Sequence, residues 1–225
     1  MIDMDNTQAR QQIRQIAEEA IQQGNPTGWF EELYTRAQGD PLAIPWANMK
    51  PNPLFTSWAI RMNLQGTGKK ALQVGCGLGD DAEELAQLDF AVTAFDISGV
   101  AIDWCRKRFP SSSVNYTVAD LFKTPREWYG SFDFILEIYT LQSLPQEIRA
   151  RAMECITACL APNGKLLIVC RGRERSDPVG NMPPWPLTRQ DLMAFQRCGL
   201  EETTFEDGMD QEEPPVRRFR VSYRK

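Results

Sequence analysis

From residue 70 onward, apolar runs of strand length alternate with amphipathic segments of helix length, and that alternation predicts an α/β fold with a mainly parallel sheet. Two further observations sharpen the expectation. KLLIVC (165–170) is almost wholly apolar, as a strand covered by helices on both faces must be. The chain then closes with LEETTFED (200–207) and VRRFRVSYR (216–224), two strand-like segments with no helix between them, which implies an antiparallel pair at one edge of a seven-stranded sheet.

The elements follow in order. Between Thr7 and Gln23 the apolar positions Ile13, Ile16, Ala17, Ala20 and Ile21 repeat at helical spacing, and Gly24 stands where a helix C′ residue would. Residues 25–57 mix five prolines with Trp29, Phe30, Tyr34 and Trp46, a composition for an ordered but irregular wrap with a short helix near Trp29 to Ala37. KALQV (70–74) reads as the first strand, DAEELAQL (81–88) as a helix and AVTAFD (91–96) as the second strand. Ser98 is the expected N-cap of VAIDWCRKRF (100–109). VNYTVAD (114–120) and FDFILEIY (132–139) are the third and fourth strands, and QEIRARAMECITACL (146–160) is a helix stopped by Pro162 and Gly164. TRQDLMAFQRCG (188–199) is a last helix between Thr188 as cap and Gly199 as stop. Arg218 and Arg220 alternate with Phe219, Val221 and Tyr223, as on the exposed face of an edge strand protected by charge. The chain is expected to form one structural unit: an N-terminal helix and aromatic, proline-rich lid segment (1–57) on a main domain (58–225).

Composition narrows the function. With 42% hydrophobic and 24% charged residues the chain resembles an ordinary globular domain. A net charge of −5 gives no general attraction to phosphate backbones, so nucleic acid is not expected as a partner. No apolar run is long enough to span a membrane and the N-terminus has no signal-peptide h-region, so a cytoplasmic location is expected. The six cysteines contain no CxxC pair and are expected as reduced, buried thiols, and no metal site is expected. There is no histidine, which excludes Ser-His-Asp and Cys-His nucleophilic machinery and any imidazole base.

The chemistry centres on ALQVGCGLGDD (71–81), where Gly75, Gly77 and Gly79 follow the first strand. Glycine inside regular structure costs roughly 0.5–1 kcal/mol relative to alanine, so three together mark a sharp bend or a close approach. Ligands of open α/β sheets bind at this end of the strands. A dinucleotide loop wants its third glycine at position 80, but Asp80 stands there, and with Asp81 it would repel a pyrophosphate. Asp96 ends the second strand 21 residues after Gly75, a spacing at which a carboxylate accepts from both hydroxyls of a ribose. Asp120 ends the third strand on the same crevice and could accept from an adenine amino group. The plainer alternatives are a tight glycine turn and carboxylates that only cap strand ends.

These pieces, VGCGLGDD, FDIS, VADLF, FDFILEIYTLQSL and LAPNGKLLIVC in that order, resemble the class I S-adenosylmethionine (SAM)-dependent methyltransferases over about residues 70–225. The resemblance implies a Rossmann-like class I methyltransferase fold, with SAM as cofactor and S-adenosylhomocysteine (SAH) as product. It also implies a cofactor site of Gly75, Cys76, Gly77, Gly79, Asp96, Ile97, Asp120, Leu121 and Glu137. One departure is Gln73, where the family often has an acidic residue two positions before the first glycine. A sulfonium leaves as a neutral thioether, so a soft nucleophile needs alignment more than acid–base help.

A second resemblance, to the thiopurine and thiol S-methyltransferases, rests on IPWANMKPNPL and EIYTLQSL. It implies a small-molecule acceptor, most favourably a thiol, with Trp46, Glu137 and Tyr139 as candidate catalytic residues. Aromatic faces there would suit a sulfonium. An O- or N-methyltransferase of a small metabolite, or a SAM-binding protein without catalysis, are the alternatives. Glu137 could equally just end its strand, Cys76 reads as a loop filler, and Trp29, Phe30, Trp46 and Trp185 could simply anchor the wrap. Arg171 or Arg173, in RGRER after the fifth strand, could clamp an acceptor carboxylate or be solvated loop charges. A monomer is expected.

Overall fold

Seven strands form one sheet in the order β3-β2-β1-β4-β5-β7-β6: β1 (Lys70–Val74), β2 (Ala91–Asp96), β3 (Asn115–Val118), β4 (Phe132–Ile138), β5 (Leu160–Arg171), β6 (Glu201–Met209) and β7 (Arg217–Arg224). The computed structural model describes residues 15–225. β1 to β5 are parallel to their neighbours, and β7 runs antiparallel to both β5 and β6. This is the expected architecture. The strand order reverses between β1 and β4, which opens a crevice at the carboxyl ends of these strands.

Helices α3 (Pro53–Arg61), α4 (Asp80–Gln87) and α5 (Gly99–Arg108) cover one face, where Phe55, Trp58, Leu85 and Ile102 pack on Ala94, Phe134 and Leu136. On the other face α6 (Gln146–Cys159), α7 (Arg189–Leu192) and α8 (Ala194–Arg197) bring Ile156, Leu192 and Phe195 onto Leu72, Ile135, Leu166 and Ile168. The alternation of Ala71 and Leu72 between these clusters is the period-2 pattern of a strand buried on both sides.

A third cluster belongs to the N-terminal segment. Helix α1 occupies 15–22, with Ile16 and Ala17 buried; the expected helical positions 7–14 lie outside the described residues. Gly24 ends the helix at φ 74°, as its position predicted. Together with α2 (Gly28–Ala37), α1 packs through Trp29, Leu33 and Tyr34 onto Leu78 of the glycine loop and Ala101 of α5.

Three elements differ from expectation. Residues 25–57 are more regular than their prolines suggested, because Asn52 caps α3 and Pro53 occupies a first-turn position where the missing N–H has no intrahelical acceptor. The expected boundary at 57/58 therefore falls inside a helix. The segment 188–199 is two short helices meeting at Met193, although Thr188 forms the expected cap, completed by Asp191. β5 starts at Leu160, directly from α6, with a register shift across 161–164.

The arginines of β7 require a correction. β7 lies inside the sheet, and Arg218 and Arg220 are 4% and 9% exposed. The edge is β6. Arg220 donates to the Leu54 carbonyl (2.6 Å) and the Ser57 hydroxyl (2.8 Å) and pairs with Glu206, fastening α3 to the sheet.

Candidate active site

The glycine loop is shaped by its neighbours as much as by its turn. Gly75, Gly77 and Gly79 have φ of 60°, 53° and 88°, the left-handed region that side chains rarely adopt. A Cβ on Gly75 would lie 2.3 Å from Thr140 Oγ1, and one on Gly79 would lie 2.6 Å from the Tyr116 hydroxyl. A Cβ on Gly77 would meet the Tyr34 hydroxyl at 3.2 Å. The loop is thus enclosed by the chain after β4, by β3 and by α2.

Asp96 ties this loop to the end of β2. Its Oδ2 accepts the Gly77 N–H at 2.9 Å and its Oδ1 accepts the Ser98 N–H at 3.0 Å. Burial raises the carboxyl to about 6 against the opposing effect of these donors. Each oxygen keeps a further lone pair, so the side chain can still accept from a pair of ligand hydroxyls.

Beside Asp96 a cavity of about 700 Å³ runs from the carboxyl ends of the central strands to the N-terminal segment. Its wall gathers Trp46, Gly75, Asp96, Ile97, Asp120, Leu121 and Tyr139. Cys76, Gly77, Gly79 and Glu137 do not line it. Cys76 is buried in the core of the α4–α5 face and burial raises its thiol. Gln73 is buried too, with its side-chain oxygen unpartnered. Asp120 Oδ1 accepts the Phe122 N–H at 2.9 Å, capping the turn Leu121–Lys123.

Glu137 is fully buried at the end of β4. Its Oε1 accepts the N–H groups of Thr140 (2.6 Å) and Leu141 (2.9 Å), folding the chain back, while Oε2 has no partner. Burial raises the carboxyl to about 7. The turn it fastens presents Tyr139 at φ 65°, a strained conformation for a side chain of this size. The Tyr139 hydroxyl accepts from Asn52 Nδ2 at 3.1 Å, and the Arg218 guanidinium lies 4.7 Å from the ring centroid. Burial raises this phenol despite Arg218, so at neutral pH it stays protonated.

The N-terminal segment supplies the opposite wall. Trp29 stacks on Phe30 at 4.0 Å, and Trp46 meets both edge-on at 5.9 and 6.1 Å. Trp46 Nε1 donates to the Tyr34 hydroxyl at 3.0 Å, which sets both rings over the glycine loop. Asn52 was missed by sequence reasoning although its signal, Asn-Pro before an apolar run, is a helix start. Its backbone N–H donates to Asp81 Oδ1 at 2.6 Å, and its side chain caps α3 as well as bonding Tyr139.

The far end lies between β5 and β7. Gln142, 4% exposed, accepts the Arg171 N–H on Oε1 (2.6 Å), and its carbonyl accepts the Trp185 N–H (2.7 Å). No sequence signal marked it. Arg218 binds Asp210 through Nε and Glu212 through Nη2, each at 2.6 Å. Arg171 lines the cavity, whereas Arg173 turns away to the Pro186 and Glu174 carbonyls at 3.1 and 3.0 Å.

Residues 71–164 match the family model of a methyltransferase domain. The ubiquinone biosynthesis O-methyltransferase of Xanthomonas axonopodis pv. citri is 29% identical over 119 residues, which is 52% of this chain and 48% of that protein. The chain spans about half the length of the curated relatives it matches. Among solved structures, the N-methyltransferase NodS from Bradyrhizobium japonicum, in complex with SAH, superposes with a TM-score of 0.65 at 17% identity over 87% of this chain and 97% of its own. A protein solved for the conversion of a disulfide bond into a thioacetal group during echinomycin biosynthesis gives 0.69 at 20% identity, covering 88% and 91%. The strand order and the glycine loop agree with these matches: residues 71–164 match a methyltransferase domain, and the fold is the one shared with the solved SAM-dependent methyltransferases.

Proposed function

We propose that this chain transfers a methyl group from SAM to a small-molecule acceptor, with a thiol or another soft nucleophile as the favoured acceptor. The cofactor supplies the chemistry of a methyl carried on a sulfonium that departs as a neutral thioether. In this reading Asp96 accepts the ribose hydroxyls, Asp120 with Ile97 and Leu121 receives the adenine, and Gly75 and the glycine loop hold the amino acid end. Trp46 and Tyr139 flank the reacting atoms. Their aromatic faces favour a sulfonium by roughly 0.5–2 kcal/mol. Glu137 acts as a positioning residue that fixes the Tyr139 turn.

One observation carries the choice of a soft acceptor: among the described residues, every carboxylate on the cavity wall already has a backbone or arginine partner. Asp96 and Asp120 hold N–H groups, and Asp210 and Glu212 hold Arg218. Tyr139 keeps its proton. A site whose carboxylates are already engaged favours an acceptor that ionises by itself, as a thiol does near pH 8.5, with catalysis by alignment and exclusion of water. A second reading, an O- or N-methyltransferase of a small metabolite, is supported by the activities named for the relatives above.

The test is SAH release from SAM with parallel panels of small thiols, amines and phenols. Turnover confined to thiols, with a rate that follows the thiol's own ionisation, is the expected result. Turnover of phenols or amines alone supports the second reading, and SAH binding without turnover of any acceptor supports a non-catalytic SAM-binding protein.

A further inference from the structure

Resting on the methyltransferase reading above, we infer that the acceptor carries a carboxylate and that Arg171, at the far end of the cavity, is the residue that selects it. Arg171 ends β5 and lines the cavity on the side of Tyr139, Gln142 and Arg218. Its backbone N–H is satisfied by Gln142, but its guanidinium makes no hydrogen bond and no ion pair with any described residue, and its Nε is fully buried. An arginine fork whose Nε is buried without an acceptor is a cost that native folds rarely leave standing.

The neighbourhood does not relieve it. Arg171 sits directly across the β5–β7 ladder from Arg218, a like-charge pair of the kind that destabilises a sheet. The two carboxylates nearby, Asp210 and Glu212, are bonded to Arg218. Besides Arg171 and Arg218 the wall carries Lys50, which is exposed. Burial and the Arg218 charge lower the affinity of Arg171 for its proton, with Glu212, Tyr139 and Asp210 opposing, yet a guanidinium stays charged at any working pH. What remains is one planar, unpaired cation facing a cavity large enough for a cofactor and a small acceptor. A carboxylate matches that unpaired fork bidentately. Bound there, the acceptor would be gripped at the β5 end, with its remainder extending along the cavity past Tyr139.

The experiment needs no turnover. Benzoate and benzamide, nearly equal in shape, are titrated calorimetrically into SAH-saturated protein, wild type and Arg171→Gln, with phenyl phosphate as a third probe. Benzoate should bind wild type at least tenfold more tightly than benzamide and more tightly than phenyl phosphate. Arg171→Gln should reduce benzoate to the level of benzamide, and Arg171→Lys should restore only part of the difference, while SAH affinity stays within twofold in each variant. Equal affinity for benzoate and benzamide, tighter binding of phenyl phosphate, or a benzoate affinity indifferent to Arg171→Gln would overturn the assignment. Failure of the methyltransferase reading would register separately, as absence of binding when SAH alone is titrated into the wild type.

Discussion

The Asp96 carboxylate and the Gly77 N–H, 2.9 Å apart, join the end of β2 to the middle of the glycine loop. This bond makes the loop's shape depend on the charge of a carboxyl that burial raises to about 6. Ligand hydroxyls and the Gly77 N–H all donate to the ionised form, so cofactor affinity should rise as pH passes upward through 6. With a carboxyl of that pKa only about a tenth is ionised at pH 5, and SAH affinity there should be roughly tenfold below its plateau above pH 7. Fluorescence titrations across this range check it; a flat profile would separate Asp96 from cofactor binding.

Gly75 lies against Thr140 so closely that any side chain collides with it. Gly75→Ala should therefore destabilise by several kcal/mol, combining left-handed strain of about 1–3 kcal/mol with overpacking. Adding Thr140→Ala should recover the steric part alone, leaving the φ penalty. Urea unfolding of the two variants separates these contributions.

Tyr139 accepts from Asn52, and neither side chain is placed to remove a proton. Tyr139→Phe should keep the fold and SAH affinity and lower the turnover of thiols by less than about tenfold, since the hydroxyl lost accepts from Asn52 and removes no proton. A loss of a thousandfold, with a new pH dependence, would identify Tyr139 as the acid–base group of an O-methyltransferase instead. Asn52→Ala removes the α3 cap as well, and should cost about 1 kcal/mol and raise protease cleavage around residue 50.

Asp81, half-buried, accepts the Asn52 backbone N–H, and desolvation raises its carboxyl to about 7. The folded chain then holds this proton more tightly than the unfolded chain, where the group titrates near 4. Its stability contribution is complete below pH 4 and is lost as pH rises to 7. The stability of wild type relative to Asp81→Asn, which keeps an acceptor for the Asn52 N–H, should fall by about 2–4 kcal/mol across that interval. Paired unfolding curves at pH 4.5 and 7.5 give the answer.

The sheet was legible because its evidence is local: β1 and β2 span the residues their apolar runs mark, and Ser98 caps α5 with its hydroxyl accepting the Ala101 N–H at 3.0 Å. The glycine loop and Asp96 were legible for the same reason, lying at fixed spacing in one βαβ unit. Arg218 and Arg220 were misread because alternation along a strand reveals two faces but not what covers them. Here α3 and the 210–212 loop cover the charged face, a relation between residues more than a hundred positions apart for the Leu54–Arg220 bond. Gln142 and the role of Glu137 as a turn fastener were illegible for a related reason. Each is defined by backbone groups that only the folded chain brings to it.

The central claim is that Asp96 and the glycine loop hold S-adenosylmethionine, and calorimetric titration of the chain with SAM and SAH, wild type against Asp96→Ala, tests it most directly. Micromolar binding of both ligands that falls at least a hundredfold in the variant, with its folded CD spectrum intact, is the predicted result. No binding to the wild type, or undiminished binding to Asp96→Ala, would contradict the account.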